Sequence, residues 1–442
     1  MNINIITLGC SKNTVDSEKL AGALRTAGHI VYFDRTRNDC PVAIVNTCGF
    51  IGDAKEESIG VLLAQIAAKK RVRTARHIIA VGCLVERYKE ELATEMPEID
   101  GWYGTKEQDA ILDKIKEISK NIGQSESSES SLIPSIRQLS TPRHYAYLKI
   151  SEGCDRRCSY CAIPLIRGSH TSRPIEELVD EAKQLVLQGV KELIIIAQDT
   201  TYYGVDLYHR RALPQLLEAL ATQSGAQWIR LHYTYPASFP LEVLDVMARY
   251  DNICHYIDIP LQHINSRILH SMQRGIDREG TLALIDTIRH KLPDVAIRTT
   301  LIVGYPGETE SDFNELLQFV KQARFDRMGC FAYSAEEGTA AEALEDTVDD
   351  DEKQRRVSVL MEAQEQISLQ HNQQRVGRKC RVLIDRREAD YWIGRTEYDS
   401  PEVDDEVLIS CASMPDVKQG DFVVVEITAA LENDLFAQPI DK

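Results

Sequence analysis

Tyr145-Ala146-Tyr147-Leu148-Lys149-Ile150 runs directly into Ser151-Glu152-Gly153-Cys154-Asp155-Arg156-Arg157-Cys158-Ser159-Tyr160-Cys161. An apolar, strand-like run thus feeds a loop that carries three cysteines spaced C-x3-C-x2-C. Three thiolates on one loop can converge on one centre, and thiolates are the natural ligands of iron–sulfur clusters. A 4Fe–4S cluster takes four ligands, so Cys154, Cys158 and Cys161 would leave one iron open. The alternatives are three buried cysteines or a zinc site. Zinc favours C-x2-C pairs with a second, distant pair, and the sequence offers no such partner.

On the C-terminal side, strand-like runs at 145–150, 192–197, 228–233, 256–259, 297–303 and 327–333 alternate with helical stretches such as 174–188 and 310–322. Six βα units predict a partial (β/α)6 barrel, since eight would close one. The cysteine loop follows the first strand and falls at the C-terminal mouth, where barrel enzymes place their chemistry. An acidic stretch at 342–356 leads into a long helix ending near Gln374. From Arg375 short β-rich runs (380–384, 391–395, 407–410, 421–427) predict a small OB-like β-barrel of about five strands.

On the N-terminal side, strands at 4–8, 30–33, 42–46 and 78–81 alternate with helices at 16–27 and 53–70. This predicts a doubly wound parallel α/β domain. Gln124-Ser125-Glu126-Ser127-Ser128-Glu129-Ser130-Ser131 reads as a linker. The expected multidomain organisation is an α/β domain at 1–120, a linker at 121–142, the barrel at 143–374 and the β-barrel at 375–442. No internal repeat is visible.

The 442-residue length agrees with several domains, at roughly 100–200 residues each. No uninterrupted apolar run reaches the roughly 18 residues of a membrane helix. The start, Met1-Asn2-Ile3-Asn4-Ile5-Ile6, reads as a first strand and not as a signal peptide. A cytoplasmic protein without a membrane partner is expected. The 11 cysteines are odd in number and dispersed, unlike a secreted disulfide scaffold. A net charge of −17 argues against broad attraction to phosphate backbones or anionic lipid and is compatible with a basic partner.

Three further cysteines sit at the ends of predicted parallel strands, where open α/β sheets gather ligands. They are Cys10 in Thr7-Leu8-Gly9-Cys10-Ser11-Lys12-Asn13, Cys48 in Asn46-Thr47-Cys48-Gly49, and Cys83 in Val81-Gly82-Cys83. Each has a glycine neighbour, which permits close backbone approach. The residues alone leave two readings open, a second cluster site and buried core cysteines. Cys40, Cys254, Cys330, Cys380 and Cys411 match no motif.

With Tyr160 ahead of its last cysteine, the C-x3-C-x2-C loop resembles that of the radical SAM superfamily. The resemblance implies that the open iron binds S-adenosylmethionine (SAM) through its amino and carboxylate groups. Reductive cleavage of the sulfonium then yields a 5′-deoxyadenosyl radical that abstracts hydrogen. Two cysteine sets in this order, followed by a small β-barrel, resemble the methylthiotransferases over essentially the whole chain. That family implies two 4Fe–4S clusters and a C-terminal TRAM domain. Cys10, Cys48 and Cys83 would hold the cluster that takes part in sulfur insertion.

Several SAM contacts follow from the same resemblance. Tyr160 belongs to the family's loop. Gln198 and Asp199 end the second barrel strand, where family members contact the SAM amino group. Gly304-Tyr305-Pro306-Gly307-Glu308 resembles the family's G-x-P-G-E segment, so Gly304, Gly307 and Glu308 join the set; a plain strand–helix turn is the alternative. Arg298 faces either the SAM carboxylate or a barrel acid. Arg167-Gly168-Ser169-His170 and Ser172-Arg173 are expected at the substrate mouth. His232 and His263 are read as structural. No residue stands out as the guide of hydrogen abstraction.

For the substrate, residues 375–442 hold 9 Lys/Arg against 15 Asp/Glu, including an acidic run at 397–406 whose alternative reading is a merely solvated turn region. Phosphate neutralisation drives RNA binding, so an acidic barrel points to a basic protein. Ser151-Glu152-Gly153-Cys154-Asp155 and Tyr333-Ser334-Ala335-Glu336-Glu337-Gly338-Thr339 resemble the branch that modifies small-subunit ribosomal protein S-twelve. The resemblance implies methylthiolation of the β-carbon of an aspartate, with one SAM giving the methyl group and a second the radical. A tRNA adenosine methylthiotransferase is the same-class alternative, with tRNA disfavoured by the charge. An iron–sulfur electron carrier or cluster-delivery protein is the other. No pattern names the sulfur donor or the electron donor.

Overall fold

The computed structural model describes residues 1–37, 39–71, 76–122 and 137–440. The linker expected at 121–142 lies mostly outside them. The N-terminal strands are β1 (Asn2–Thr7), β2 (Ile30–Phe33), β3 (Val42–Thr47), β4 (His77–Gly82) and β5 (Gly101–Tyr103). They form one parallel sheet in the order β2-β1-β3-β4-β5. Helices such as Ser11–Thr26, Gly52–Arg71 and Cys83–Glu95 connect them, as the alternating pattern predicts. The central strand Val42-Ala43-Ile44-Val45-Asn46-Thr47 is buried along its whole length, the mark of a parallel strand covered on both faces. β5, three residues opening on a glycine, was not expected from the sequence.

A second parallel sheet follows, of β6 (Tyr145–Lys149), β9 (Glu192–Ile196), β10 (Trp228–Leu231), β11 (Ile253–Asp258), β12 (Ala296–Val303) and β13 (Arg327–Ala332). Its order, β13-β12-β11-β10-β9-β6, is that of an open six-stranded barrel. Between β6 and β9 the two-residue strands β7 (Ser151–Glu152) and β8 (Thr171–Ser172) pair antiparallel, pinching the base of the cysteine loop. The C-terminal strands are β14 (Lys379–Glu388), β15 (Tyr391–Arg395), β16 (Glu406–Ser410), β17 (Phe422–Ala430) and β18 (Asp434–Pro439), and they close into a five-stranded barrel.

Both flanking units lean on the central sheet. From the N-terminal domain, Val15 on helix Ser11–Thr26 packs into a cluster with Tyr145, Tyr147, Ile194 and Ile196. Lys12 stands over the ring of Tyr233 at 2.8 Å from its centroid. From the C-terminal barrel, Leu383, Tyr398 and Phe422 pack against Trp228, Cys254, Tyr256 and Ala296. No helix among the described residues is long and apolar enough to cross a membrane.

Candidate active site: two cysteine centres

Cys10, Cys48 and Cys83 follow β1, β3 and β4, three neighbouring parallel strands, so the sheet brings them to one edge. Gly9 has φ +87°, and a Cβ there would lie 2.8 Å from Cys48 Sγ. Only glycine lets the Cys10 turn approach that closely. Asn13 ties the set together. Its Nδ2 donates to the carbonyls of Leu8 (2.8 Å) and Thr47 (3.1 Å), and its Oδ1 faces Cys83 Sγ at 3.7 Å. Burial raises the Cys48 thiol and pushes Cys83 up to about 11. The neighbouring thiols add to both rises, as expected of sulfurs that share one site.

The second centre is built on the β7–β8 pinch. Cys154 N–H donates to Gly168 O at 3.0 Å. At Gly153 (φ +77°) a Cβ would stand 2.2 Å from Ser169 O, so the turn excludes any larger residue. Arg156 N–H points at Cys154 Sγ (3.4 Å). Arg274, 4% exposed, aims Nη1 at Cys158 Sγ (3.4 Å) and at Tyr160 OH (3.2 Å), and donates from Nη2 to Pro260 O. Tyr235 OH lies 3.6 Å from Cys158 Sγ and donates to Arg274 O, while the Arg156 and Arg274 guanidiniums both stand near its ring. Burial pushes Cys154 to about 11 and Cys161 to about 12, with Cys158 adding to both.

These donor sets fit iron–sulfur clusters. Each is three thiols, and backbone and guanidinium N–H groups are aimed at the sulfurs, a lever on cluster charge and potential. Among the described residues, no three His, Cys, Asp or Glu side chains close on a single metal ion. Zinc, at about 2.3 Å from each sulfur, needs such a tight set; a four-iron cube holds its thiolates at separate corners. For SAM, Gln198 donates to Glu152 Oε1 (2.6 Å), while its own Oε1 is buried without a protein partner. Arg156 Nη2 and Ser151 Oγ are likewise unpartnered. Buried polar atoms without partners are costly, and a polar ligand would satisfy them. Asp199 fixes Arg156 through a 2.8 Å ion pair.

The other residues expected near SAM have partners within the protein. Glu308 turns back on its own loop: Oε2 accepts from Gly304 N–H (2.9 Å), and Oε1 accepts from Arg356 (2.7 Å) on helix Asp350–Gln373. Burial nonetheless raises its carboxyl above the usual range. A Cβ on Gly304 would meet Lys353 of the same helix at 2.2 Å, and Gly307 O accepts from Arg267. The turn reaches the cluster loop through Tyr305 OH and Ser159 Oγ, 2.8 Å apart. Arg298 pairs with Asp258 (3.3 Å) and Asp404 (3.4 Å), facing the C-terminal barrel. His232 and His263 are driven by burial to about 3 and are neutral; His232 meets Ser400 Oγ, and His263 Nδ1 accepts from Asn265 N–H.

Of the segments expected at the substrate mouth, Arg167, His170 and Ser172 are buried, Gly168 and Arg173 are half-buried, and Ser169 is exposed. In the acidic run at 397–406 three of the six acids are turned inward, while Glu402 stays exposed. Asp399 and Asp405 pair with Arg327 (2.5 and 2.9 Å), Asp404 with Arg298, and Tyr256 OH donates to Asp404 (2.7 Å). These acids bind the small barrel to the arginines at the base of the central one, so they say nothing about a basic substrate.

The Tyr333–Thr339 segment proves to be a clasp on the N-terminal domain. Glu336, 3% exposed, accepts from Lys55 (2.8 Å) and Arg87 (2.9 Å). Arg87 also donates to Gly49 O, beside Cys48, and to Glu337 O. Glu336→Ala should cost about 1–3 kcal/mol in urea unfolding, because Arg87 loses a buried charge-assisted partner. An unchanged midpoint would mean that the clasp carries no stability.

Comparison with known proteins agrees with this geometry. The radical SAM superfamily model matches residues 148–320, the TRAM domain model 376–440, and a model known only as an uncharacterized protein family 2–104. The chain is 52% identical to the ribosomal protein uS12 methylthiotransferase RimO of Phocaeicola vulgatus, over 98% of both chains. It is also 52% identical to that of Flavobacterium johnsoniae, over 99% of this chain and 98% of the relative. Among solved structures, the radical SAM methyltransferase TsrM of Kitasatospora setae, with tryptophan and a SAM analog bound, aligns with a TM-score of 0.56. It does so at 15% identity, over 74% of this chain and 72% of that one. The cobalamin-dependent SAM radical enzyme OxsB aligns with a TM-score of 0.52 at 12% identity, over 83% of this chain and 56% of that one. Both likenesses concern the fold.

Proposed function

The chain belongs to the RimO family of radical SAM methylthiotransferases, and from that premise we propose that it adds a methylthio group to the β-carbon of an aspartate of ribosomal small-subunit protein S-twelve. Two 4Fe–4S clusters, one on Cys10, Cys48 and Cys83 and one on Cys154, Cys158 and Cys161, and two molecules of SAM would serve the reaction. The carrying observation is that the two three-cysteine sets are neighbours: Ala162, which follows Cys161, and Ile166 of the short helix Ile163–Arg167 pack with Cys83. A sulfur-handling site next to a radical-generating site is what replacing an unactivated C–H by C–S requires.

When bound, the second cluster and SAM supply the electron and the carbon radical that ordinary acid–base groups cannot. The chain's own residues bind and orient. Arg274 and Tyr235 hold the Cys158 side of the loop. Arg156, fixed by Asp199, and Gln198 present polar atoms toward the SAM position. In this reading the domains span 1–120, 143–374 and 375–442, and the cytoplasm, where ribosomes are assembled, is the place of action.

The test is a paired assay of anaerobically reconstituted enzyme with S-twelve and with tRNA, read by mass spectrometry. The methylthio increment should appear on one S-twelve aspartate. Its appearance on tRNA alone would overturn the substrate, and no SAM cleavage at all would favour an electron carrier.

A further inference from the structure

Arg167 lies six residues beyond Cys161, at the end of the short helix that follows it, and it is 3% exposed. Its Nη2 donates to Cys83 Sγ at 3.2 Å and to Asn13 Oδ1 at 2.5 Å. Its Nη1 donates to Asp16 Oδ2 at 2.7 Å and to Glu152 Oε2 at 3.3 Å. Asp16 and Cys83 belong to the N-terminal domain, and Glu152 adjoins the barrel's cysteine loop. Lys149 shares both acids, pairing with Asp16 and, at 2.6 Å, with Glu152. Glu152 in turn accepts from Gln198.

One buried guanidinium therefore touches a sulfur of the first centre while its own backbone is continuous with the last cysteine of the second. A structural ion pair alone would not need the sulfur. Asp16 and Glu152 already supply the counter-charge, and the fork geometry of arginine leaves its second nitrogen aimed at Cys83 and Asn13.

We propose that Arg167 is the positioning residue that couples the two centres, setting the charge felt by the Cys10/Cys48/Cys83 cluster and holding that cluster against the radical-generating loop. The inference rests on the two-cluster reading above. A cation next to a cluster favours its reduced, more negative form and raises its potential. Asp16 opposes that effect, because its carboxylate balances the guanidinium.

The test uses full-length protein in which Cys154, Cys158 and Cys161 are replaced by Ala, so that the N-terminal cluster is observed by itself in an EPR-monitored redox titration. Arg167→Gln should shift the midpoint potential downward beyond replicate scatter. Arg167→Lys, which keeps the charge, should restore most of it. Asp16→Asn, which exposes the cluster to more of the Arg167 charge, should shift it upward. A purely structural role does not predict opposite signs. If Arg167→Gln holds no cluster, the Arg167→Lys and Asp16→Asn arms carry the comparison. Potentials that stay put, or that move the same way in Arg167→Gln and Asp16→Asn, overturn the proposal. Absence of any cluster before Arg167 is touched overturns the cluster assignment itself, a distinct result read from iron and sulfide content.

Discussion

Alanine at Cys158 should abolish reductive cleavage of SAM and remove about half of the iron, since one of two four-iron centres is lost. The loss should exceed the roughly 10–100-fold typical of removing an outer partner of a metal ligand, because a ligand itself is gone. Cys158 is also the sulfur that Arg274 and Tyr235 address, at 3.4 and 3.6 Å. The variant leaves a buried guanidinium without its sulfur partner, so the loop loses order as well as a ligand. The first centre stands on a different domain and should keep its iron. Cys48→Ala should show the complementary pattern, with 5′-deoxyadenosine still formed and the methylthio product missing. Chromatographic assay of 5′-deoxyadenosine, with iron analysis, separates the two. Cleavage that survives in Cys158→Ala would place the radical centre elsewhere.

The second large effect concerns stability. Glu192 is fully buried at the start of β9, between Arg230 (2.7 Å) and Arg395 (2.6 Å), the latter from the C-terminal barrel. Arg395 also pairs with Asp385 at 2.8 Å. Glu192→Ala leaves two buried guanidiniums short of charge and should cost about 3–5 kcal/mol, the range for breaking a buried pair. Urea unfolding would report it, and a cost near zero would mean that water reaches the site freely. The pH dependence has a definite sign. Burial opposes ionisation of Glu192, but Arg395 and Arg230 outweigh it and hold the carboxyl at about 2, below its ordinary 4.5. The unfolded chain therefore takes up a proton first as pH falls. The contribution is fully present above pH 4.5 and is lost as pH drops from 4.5 towards 2. Glu192→Gln should lack that part of the acid transition.

The parts of this molecule carried by local pattern were legible in the sequence. The C-x3-C-x2-C loop, the six barrel strands and the three cysteines at parallel strand ends all have short-range signatures in spacing and apolar runs. β5 and β18 were missed because Gly101-Trp102-Tyr103 is too short for a periodic signal, and Asp434-Leu435-Phe436-Ala437-Gln438-Pro439 ends in proline without clean alternation. What pairs across long sequence separations was invisible. Arg274 reaches Cys158 from 116 positions away, and Arg327 reaches Asp399 from 72. Neither arginine has a neighbour in sequence that announces its partner. The inward acids of the run at 397–406 were hidden for the same reason: a tally of charge along the chain does not reveal that Asp399, Asp404 and Asp405 are already neutralised inside. Asn13 lies three residues beyond Cys10, yet its bonds to Leu8, Thr47 and Arg167 depend on the sheet being assembled.

The helix Ile163–Arg167 is also a ruler. Adding one residue to an α-helix advances it by about 1.5 Å and turns it by roughly 100°. An insertion between Cys161 and Arg167 would therefore swing the guanidinium off Cys83 and lift Ile166 from its seat, however suitable the inserted side chain. The spacing from Cys161 to Arg167 is therefore as much a part of the site as the side chains it carries.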